Sequence, residues 1–374
     1  MSNTTSILHL PGDESRTPIN PLIPAEGLIR LYDNSRLTLF DSCHRKFFLQ
    51  NEMGWSLSGT EIAPGFGNCW HSAMDVVWKL LCTEEGRDPR RYASTEHDHF
   101  FQLAFDAFMK EWHEQDLPDP ANIAMMDTLM PRTPAVGREM LWNYIQINWD
   151  FIAQCELIGV EQPFLVSLTL NDPNLFYSGR MDKVVLNRNT GFIEVVDHKS
   201  TKAYAKHGFF RDYFSESFSP NSQVDGYAYA AYLCYGPAYN GDVRIDAALV
   251  HKTVHNGFKF FPIKRSAAQL DGWRWETLDR IQSVEANRDA LEKQKEGERQ
   301  GLNREYMNSF RKDNGACFDY MKPCIYLDTC KYVANPHREE PPPGFSINHW
   351  SPFKQIDLQK IGLEPDRTTE KFNE

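Results

Sequence analysis

Residues 178–199 constrain this chain more than any other stretch. They read Ser-Gly-Arg-Met-Asp-Lys-Val-Val-Leu-Asn-Arg-Asn-Thr-Gly-Phe-Ile-Glu-Val-Val-Asp-His-Lys. Val184, Val185 and Leu186 are answered by Phe192, Ile193, Val195 and Val196. The turn formers Asn187-Arg188-Asn189-Thr190-Gly191 lie between them, so the pattern predicts a β-hairpin. Folded about the Asn189–Thr190 bond, the hairpin sets Asp182 opposite Asp197, and directly opposed Cβ atoms lie roughly 4.5–5.5 Å apart. Like charges so placed repel, and a cation is needed to offset them. Asp197 and Lys199 are two apart and share a strand face. Two carboxylates and a lysine on a hairpin are the parts of a divalent-metal hydrolytic site.

With 374 residues, 41% of them hydrophobic and 13% aromatic, the chain is expected to be globular, with one to three domains. Its apolar runs fall short of the ~18–20 residues that span a bilayer. The N-terminus lacks the basic-then-apolar layout of a signal peptide. A cytoplasmic location without a membrane partner is therefore expected. The net charge of −11 argues against a broad basic surface. It leaves room for a local basic groove, in which metal ions help to accept a phosphate backbone.

Along the chain, residues 1–27 read as a proline-bearing tail. A helical region follows over 28–157. Its first helix is capped by Asn34 or Ser35 and turns Leu37, Phe40, Cys43 and Phe47 inward. A second helix over 65–82 carries Gly67, His71 and Asp75 on one stripe, four residues apart. Residues 114–134 read as irregular, and a helix is expected from Ala135 to Leu157. Strands begin at Glu161, and the sheet-bearing core spans 158–265. Within it, Lys202, Lys206 and Arg211 are interleaved with aromatics in a loop suited to a phosphate backbone. Gln223 and Tyr227 are one turn apart on a small-residue helix. A helical region over 266–335 carries Cys317, Cys324 and Cys330, and an irregular tail runs over 336–374.

The residue types suggest a chemistry. A phosphodiester repels hydroxide, whereas bound Mg²⁺ or Mn²⁺ neutralises that charge and lowers the pKa of a bound water. Mg²⁺ prefers oxygen ligands and keeps several waters. Lys199 would orient the attacking water or neutralise the crowded phosphate.

The order of these pieces is Gly67-x3-His71-x3-Asp75, Glu161, Gly179-Arg180-Met181-Asp182, Asp197-x-Lys199, Gln223-x3-Tyr227. Taken together it resembles the PD-(D/E)XK nuclease superfamily in its RecB-like branch. The resemblance implies an α/β, restriction-endonuclease-like core, with a mixed central sheet flanked by helices and helical N- and C-terminal flanks. It implies Asp182 and Asp197 as metal carboxylates, His71 and the backbone carbonyl of His198 as further ligands, and Lys199 as the catalytic lysine. Gln223 and Tyr227 would support the site or touch DNA. Glu161 matches the acidic residue that often precedes the core strand. Asp75 stands where the family usually has glutamate.

Cys317-x6-Cys324-x5-Cys330 supplies three thiolates. The same resemblance, here to CRISPR-associated RecB-like nucleases and AddB-type subunits, pairs them with Cys43 and implies a [4Fe–4S] cluster. Four thiolates also suit zinc, and simple buried thiols are a third reading. Cys69, Cys82, Cys155 and Cys234 read as core residues.

The expected function is a metal-dependent DNA nuclease. An exonuclease acting on DNA ends or single strands is expected, in repair, recombination or phage DNA processing. Without helicase motifs it would be a stand-alone enzyme or a subunit beside a helicase or recombination protein. The alternative is a catalytically silent nucleic-acid-binding or scaffolding module of the same fold. The acidic net charge supports that alternative, and the intact Asp182, Asp197, Lys199 and His71 argue against it.

Overall fold

The structure is a computed structural model. It describes residues 29–57, 59, 61–88, 96–169, 171–319 and 322–349. The expected N-terminal tail and, from 350 onward, the expected C-terminal tail lie outside the described residues.

The elements run β1 (Arg30–Tyr32), α1 (Asn34–Ser42), α2 (His44–Phe47), β2 (Trp55–Leu57), α3 (Ile62–Leu81), α4 (Glu96–Glu114), α5 (Ile123–Leu129), α6 (Pro134–Ala153), β3 (Cys155–Ser167), β4 (Leu175–Asn187) and β5 (Phe192–Thr201). After them come β6 (Tyr204–Ala205), β7 (Phe209–Phe210), α7 (Asp212–Glu216), α8 (Ser222–Tyr235), β8 (Tyr239–Leu249), β9 (Phe258–Lys264) and α9 (Ala267–Arg299). The last are β10 (Phe318–Asp319), β11 (Lys322–Pro323), α10 (Leu327–Tyr332) and β12 (Phe345–Ile347). The central sheet is mixed. β4 and β5 are antiparallel, β5 and β8 parallel, β8 and β9 antiparallel, and β3 also pairs with β4. A parallel pair needs a long crossover, and α8 lies within the one joining β5 to β8. Its small residues Gly226, Ala228, Ala230 and Ala231 are buried. Helices flank the sheet, as an α/β restriction-endonuclease-like core requires.

The chain divides into two compact units. The first takes Gly59–Gln162 and Arg180–Leu270, and the second takes the described parts of His9–Ser58, Pro163–Gly179 and Asp271–Glu374. In the first, α3 buries Phe66, Trp70, Ala73, Met74, Val77 and Trp78, the i, i+3, i+4 pattern of an amphipathic helix. They pack with Phe108 and Trp112 of α4, Met140 and Tyr144 of α6, and Val185, Val196 and Ala248 of the sheet. Trp70 meets Tyr144 edge to face at 5.7 Å between ring centroids. Gly137 allows α6 to approach α4, since a Cβ there would lie 2.7 Å from the Phe108 ring. His71 and Asp75 fall on the half-buried flank of α3.

The helix expected to reach Leu157 ends at Ala153, and β3 starts at Cys155. The segment expected to be irregular holds α5, capped by Asn122, whose side chain accepts the Met125 N–H at 3.1 Å.

In the second unit, β1 pairs parallel with the start of β4, from Arg30↔Leu175 to Tyr32↔Tyr177. The cap of α1 is Asp33, one residue before the expected caps, and it accepts the Arg36 N–H at 3.0 Å. Cys43 is not helical. It is extended, at φ −167°, between α1 and α2. Trp273, Ile281, Val284 and Leu291 form the buried stripe of α9. Strands β2 and β12 pair antiparallel.

Candidate metal centre

The β4–β5 hairpin pairs Lys183↔Val196 through Asn187↔Phe192, the register that a fold about Asn189–Thr190 requires. The Asn187 side chain accepts the Asn189 N–H at 3.0 Å, and Gly191 takes φ +74°, where a side chain would be strained. This local chemistry sets the register and so delivers Asp182 and Asp197 to one end of the hairpin.

Asp182 is buried, and its Oδ2 accepts the His198 N–H at 2.8 Å. His71 Nδ1 lies 3.3 Å from the same oxygen, and His71 Nε2 lies 3.0 Å from the His198 carbonyl oxygen. Glu161 completes the group: ligand atoms of His71, Glu161 and Asp182 all lie within 4.8 Å of one another. The Glu161 backbone takes φ +49°, a left-handed conformation within β3. Its carboxylate is ion-paired with Arg180.

Asp197 stands beside this trio rather than in it. Both its oxygens lie 2.8–2.9 Å from Lys199 Nζ, as expected for residues sharing a strand face. Burial opposes the charge on Asp182, but His71, Lys199, His198 and Lys183 outweigh it and bring the carboxyl down to about 2. Burial and Asp182 push Asp197 the other way, above the ordinary carboxylate value, against the pull of Lys199. Lys199 loses solvation too, yet Asp197 and Asp182 hold its pKa above the ordinary value. Two neighbouring carboxylates are thus driven apart in proton affinity, while the lysine stays charged.

Gln223 and Tyr227 act on the backbone of β4. Gln223 Nε2 donates to Tyr227 Oη at 3.0 Å, and that hydroxyl donates to the Arg180 carbonyl at 2.9 Å. They fasten β4 two residues before Asp182. The His198 ring is fully buried, with Nδ1 2.9 Å from Asp246, and Tyr144 donates its hydroxyl to the same carboxylate. Burial drives the His198 pKa well below the ordinary value and raises Asp246 to about 7.

Four participants had no role in the sequence reading: Arg180, Lys183, Tyr144 and Asp246. Asp246 carried a signal, being a lone carboxylate in the apolar run Ile245–Val250. Lys183 carried one too, as a charge two residues before the buried Val185 and on its face.

In the second unit, Cys43, Cys317, Cys324 and Cys330 line one small cavity with Lys46, Lys312, Asp313, Ala316, Tyr326 and Leu327. Cys43 Sγ accepts the Asp313 N–H at 3.4 Å, and the Cys324 N–H donates to the Cys317 carbonyl at 2.9 Å. Arg45 Nε donates to the Phe310 carbonyl at 2.9 Å, tying α2 to the segment before the cysteines. The other four thiols are elsewhere. Burial pushes Cys69, Cys82 and Cys155 up to about 12 and Cys234 up to about 11, so they stay protonated.

No curated protein matches the chain. A family profile described as the PD-(D/E)XK nuclease superfamily matches residues 34–331, a span that holds the hairpin, His71 and all four clustered cysteines. The chain belongs to the PD-(D/E)XK nuclease superfamily.

Proposed function

We propose that this nuclease is a metal-dependent DNA exonuclease of the RecB-like branch, acting on DNA ends or single strands in repair, recombination or phage DNA processing. The carrying observation is the convergence of His71, Glu161 and Asp182 within 4.8 Å, beside the Asp197–Lys199 pair. Carboxylate and imidazole donors with a carbonyl nearby fit Mg²⁺ or Mn²⁺. Asp182, Asp197, His71 and the His198 carbonyl would hold the ion, with Glu161 as a further ligand. When bound, such an ion neutralises phosphate charge and lowers the pKa of a water.

The chain's own groups do the rest. Lys199, held by Asp197, presents a fixed positive charge toward the scissile phosphate and orients the attacking water. Asp182 stays ionised because its neighbours favour its charge. Tyr227 and Gln223 hold the strand that bears it.

The four-cysteine cavity supports a bound [4Fe–4S] cluster, with zinc as the alternative. Four thiolates around one cavity suit either group. Cys43, Cys317, Cys324 and Cys330 would hold it as a staple.

End-labelled single- and double-stranded DNA, incubated with Mg²⁺ or Mn²⁺, tests the proposal. Mononucleotide release from one end, abolished in Asp197→Ala, is expected. Undiminished cleavage by that variant would sink the mechanism. Anaerobically purified protein should carry iron and sulfide that Cys324→Ser loses; bound zinc instead would select the alternative.

A further inference from the structure

Beyond the end of β5, Arg132 and Lys252 from separate segments of the first unit both lie within electrostatic reach of Lys202. Lys202 follows the last strand residue, Thr201. Thr201 pairs with Leu249 of β8, and the Val250 N–H donates to the Thr201 carbonyl at 2.8 Å. These bonds bring residues 250–252 alongside 201–204, and the Tyr204 and His251 rings lie 4.6 Å apart. Lys202 and Lys252 are exposed. Arg132, from the turn between α5 and α6, is the third group. Partial burial, then Arg132 and Lys252, lower the pKa of Lys202.

Among the described residues none of the three joins an ion pair, and Arg132 Nε is buried without a hydrogen-bond partner. Acidic residues outnumber basic ones, 51 to 40, so partners are plentiful in the sequence. Like charges held within electrostatic reach of each other are unfavourable until an anion joins them. Arg211, which the sequence groups with Lys202, is used differently: its Nε and N–H donate to the Tyr204 and Ala203 carbonyls and close the loop.

Lys199 and Lys202 are three residues apart, at most ~10 Å along an extended strand. Neighbouring phosphates on one strand are farther apart than their ~3.4 Å axial rise, so this reach covers the next one or two phosphates. We infer that Arg132, Lys202 and Lys252 form an anion subsite that grips the sugar–phosphate backbone one or two phosphates from the scissile bond. The inference rests on the nuclease reading and extends it to how the substrate strand is held.

The test is Lys202→Gln/Lys252→Gln, compared with the parent on a labelled single-stranded oligonucleotide. Binding is read by fluorescence anisotropy at several salt concentrations, with both proteins in the Asp197→Ala background. The expected result is weaker binding by about fivefold or more. The slope of log K against log salt should fall by about 1.4, since each single-strand phosphate contact contributes ~0.7. With Asp197 intact, KM should rise and kcat stay within about twofold. Lys202→Arg/Lys252→Arg should bind like the parent, which separates charge from folding. An unchanged affinity and slope in the glutamine variant overturns the inference alone. Absence of DNA binding and cleavage by the unmutated protein overturns the nuclease reading and this inference with it.

Discussion

The ammonium of Lys183, with no solvent exposure, is bound by the carboxylate of Asp75 at 2.5 Å. Asp75 lies one turn beyond His71 on α3, and Lys183 follows Asp182 on β4. The pair ties the helix carrying His71 to the strand carrying Asp182. Removing Asp75 leaves the buried Lys183 ammonium without its direct partner. Asp75→Ala is expected to cost about 3–5 kcal/mol of stability. Adding Lys183→Met should recover most of that loss, because the stranded charge is gone. Denaturant unfolding of the two single variants and the double variant measures this; a simply additive double variant would contradict it.

Arg180 neutralises Glu161 while itself 43% exposed. Arg180→Ala should release that carboxylate and tighten Mn²⁺ binding. A half-exposed ion pair is worth at most about 1 kcal/mol, so the gain should be about twofold to fivefold. Calorimetric titration of metal-free protein reads it directly. Weaker binding would mean that Arg180 orders Glu161 rather than competing for it.

Tyr227→Phe removes one hydroxyl that bridges Gln223 to the Arg180 carbonyl. The fold should lose only about 1 kcal/mol. Activity should fall about tenfold to a hundredfold, the usual cost of losing a group that orients metal ligands. Thermal unfolding and initial cleavage rates on the same preparation separate the two effects.

Asp246 gives a pH signature. Burial raises its pKa from the ordinary 3.8 to about 7 in the fold. Between these values the folded state keeps a proton that the unfolded state has released. Its contribution to stability is therefore full below about pH 4 and declines as pH rises toward 7. Asp246→Asn should flatten that decline when melting is followed in metal-free buffer from pH 4 to 8. An equally steep decline in the variant would place the proton elsewhere.

The hairpin register is legible in the sequence because strand alternation and the Asn187–Gly191 turn are both local. The shared face of Asp197 and Lys199 follows from the same period of two. The stripe of His71 and Asp75 follows from the helical repeat, but the partner of Asp75 does not. Lys183 and Asp75 are 108 residues apart, and nothing local announces that one will neutralise the other. Tyr144 and Asp246, 102 apart, are in the same position. The left-handed turn of Glu161 is equally silent, since glutamate carries no preference for it. The α1 cap falls one residue before the expected ones because Asp33, Asn34 and Ser35 are all good caps, and only the course of the backbone chooses among them.

The second unit is closed by its last described segment. β12 pairs with β2, so that Ser346 meets Ser56 across 290 residues of sequence. The Tyr326 hydroxyl donates to the carbonyl of Trp55, whose ring is fully buried. A ribosome adding ~5–20 residues per second takes roughly 15–60 s to travel that distance. Throughout that interval Trp55 has been made and its covering strand has not. The β2–β12 pairing therefore forms only after the intervening segments have been made. A chain truncated before Phe345 would lack the strand that pairs with β2.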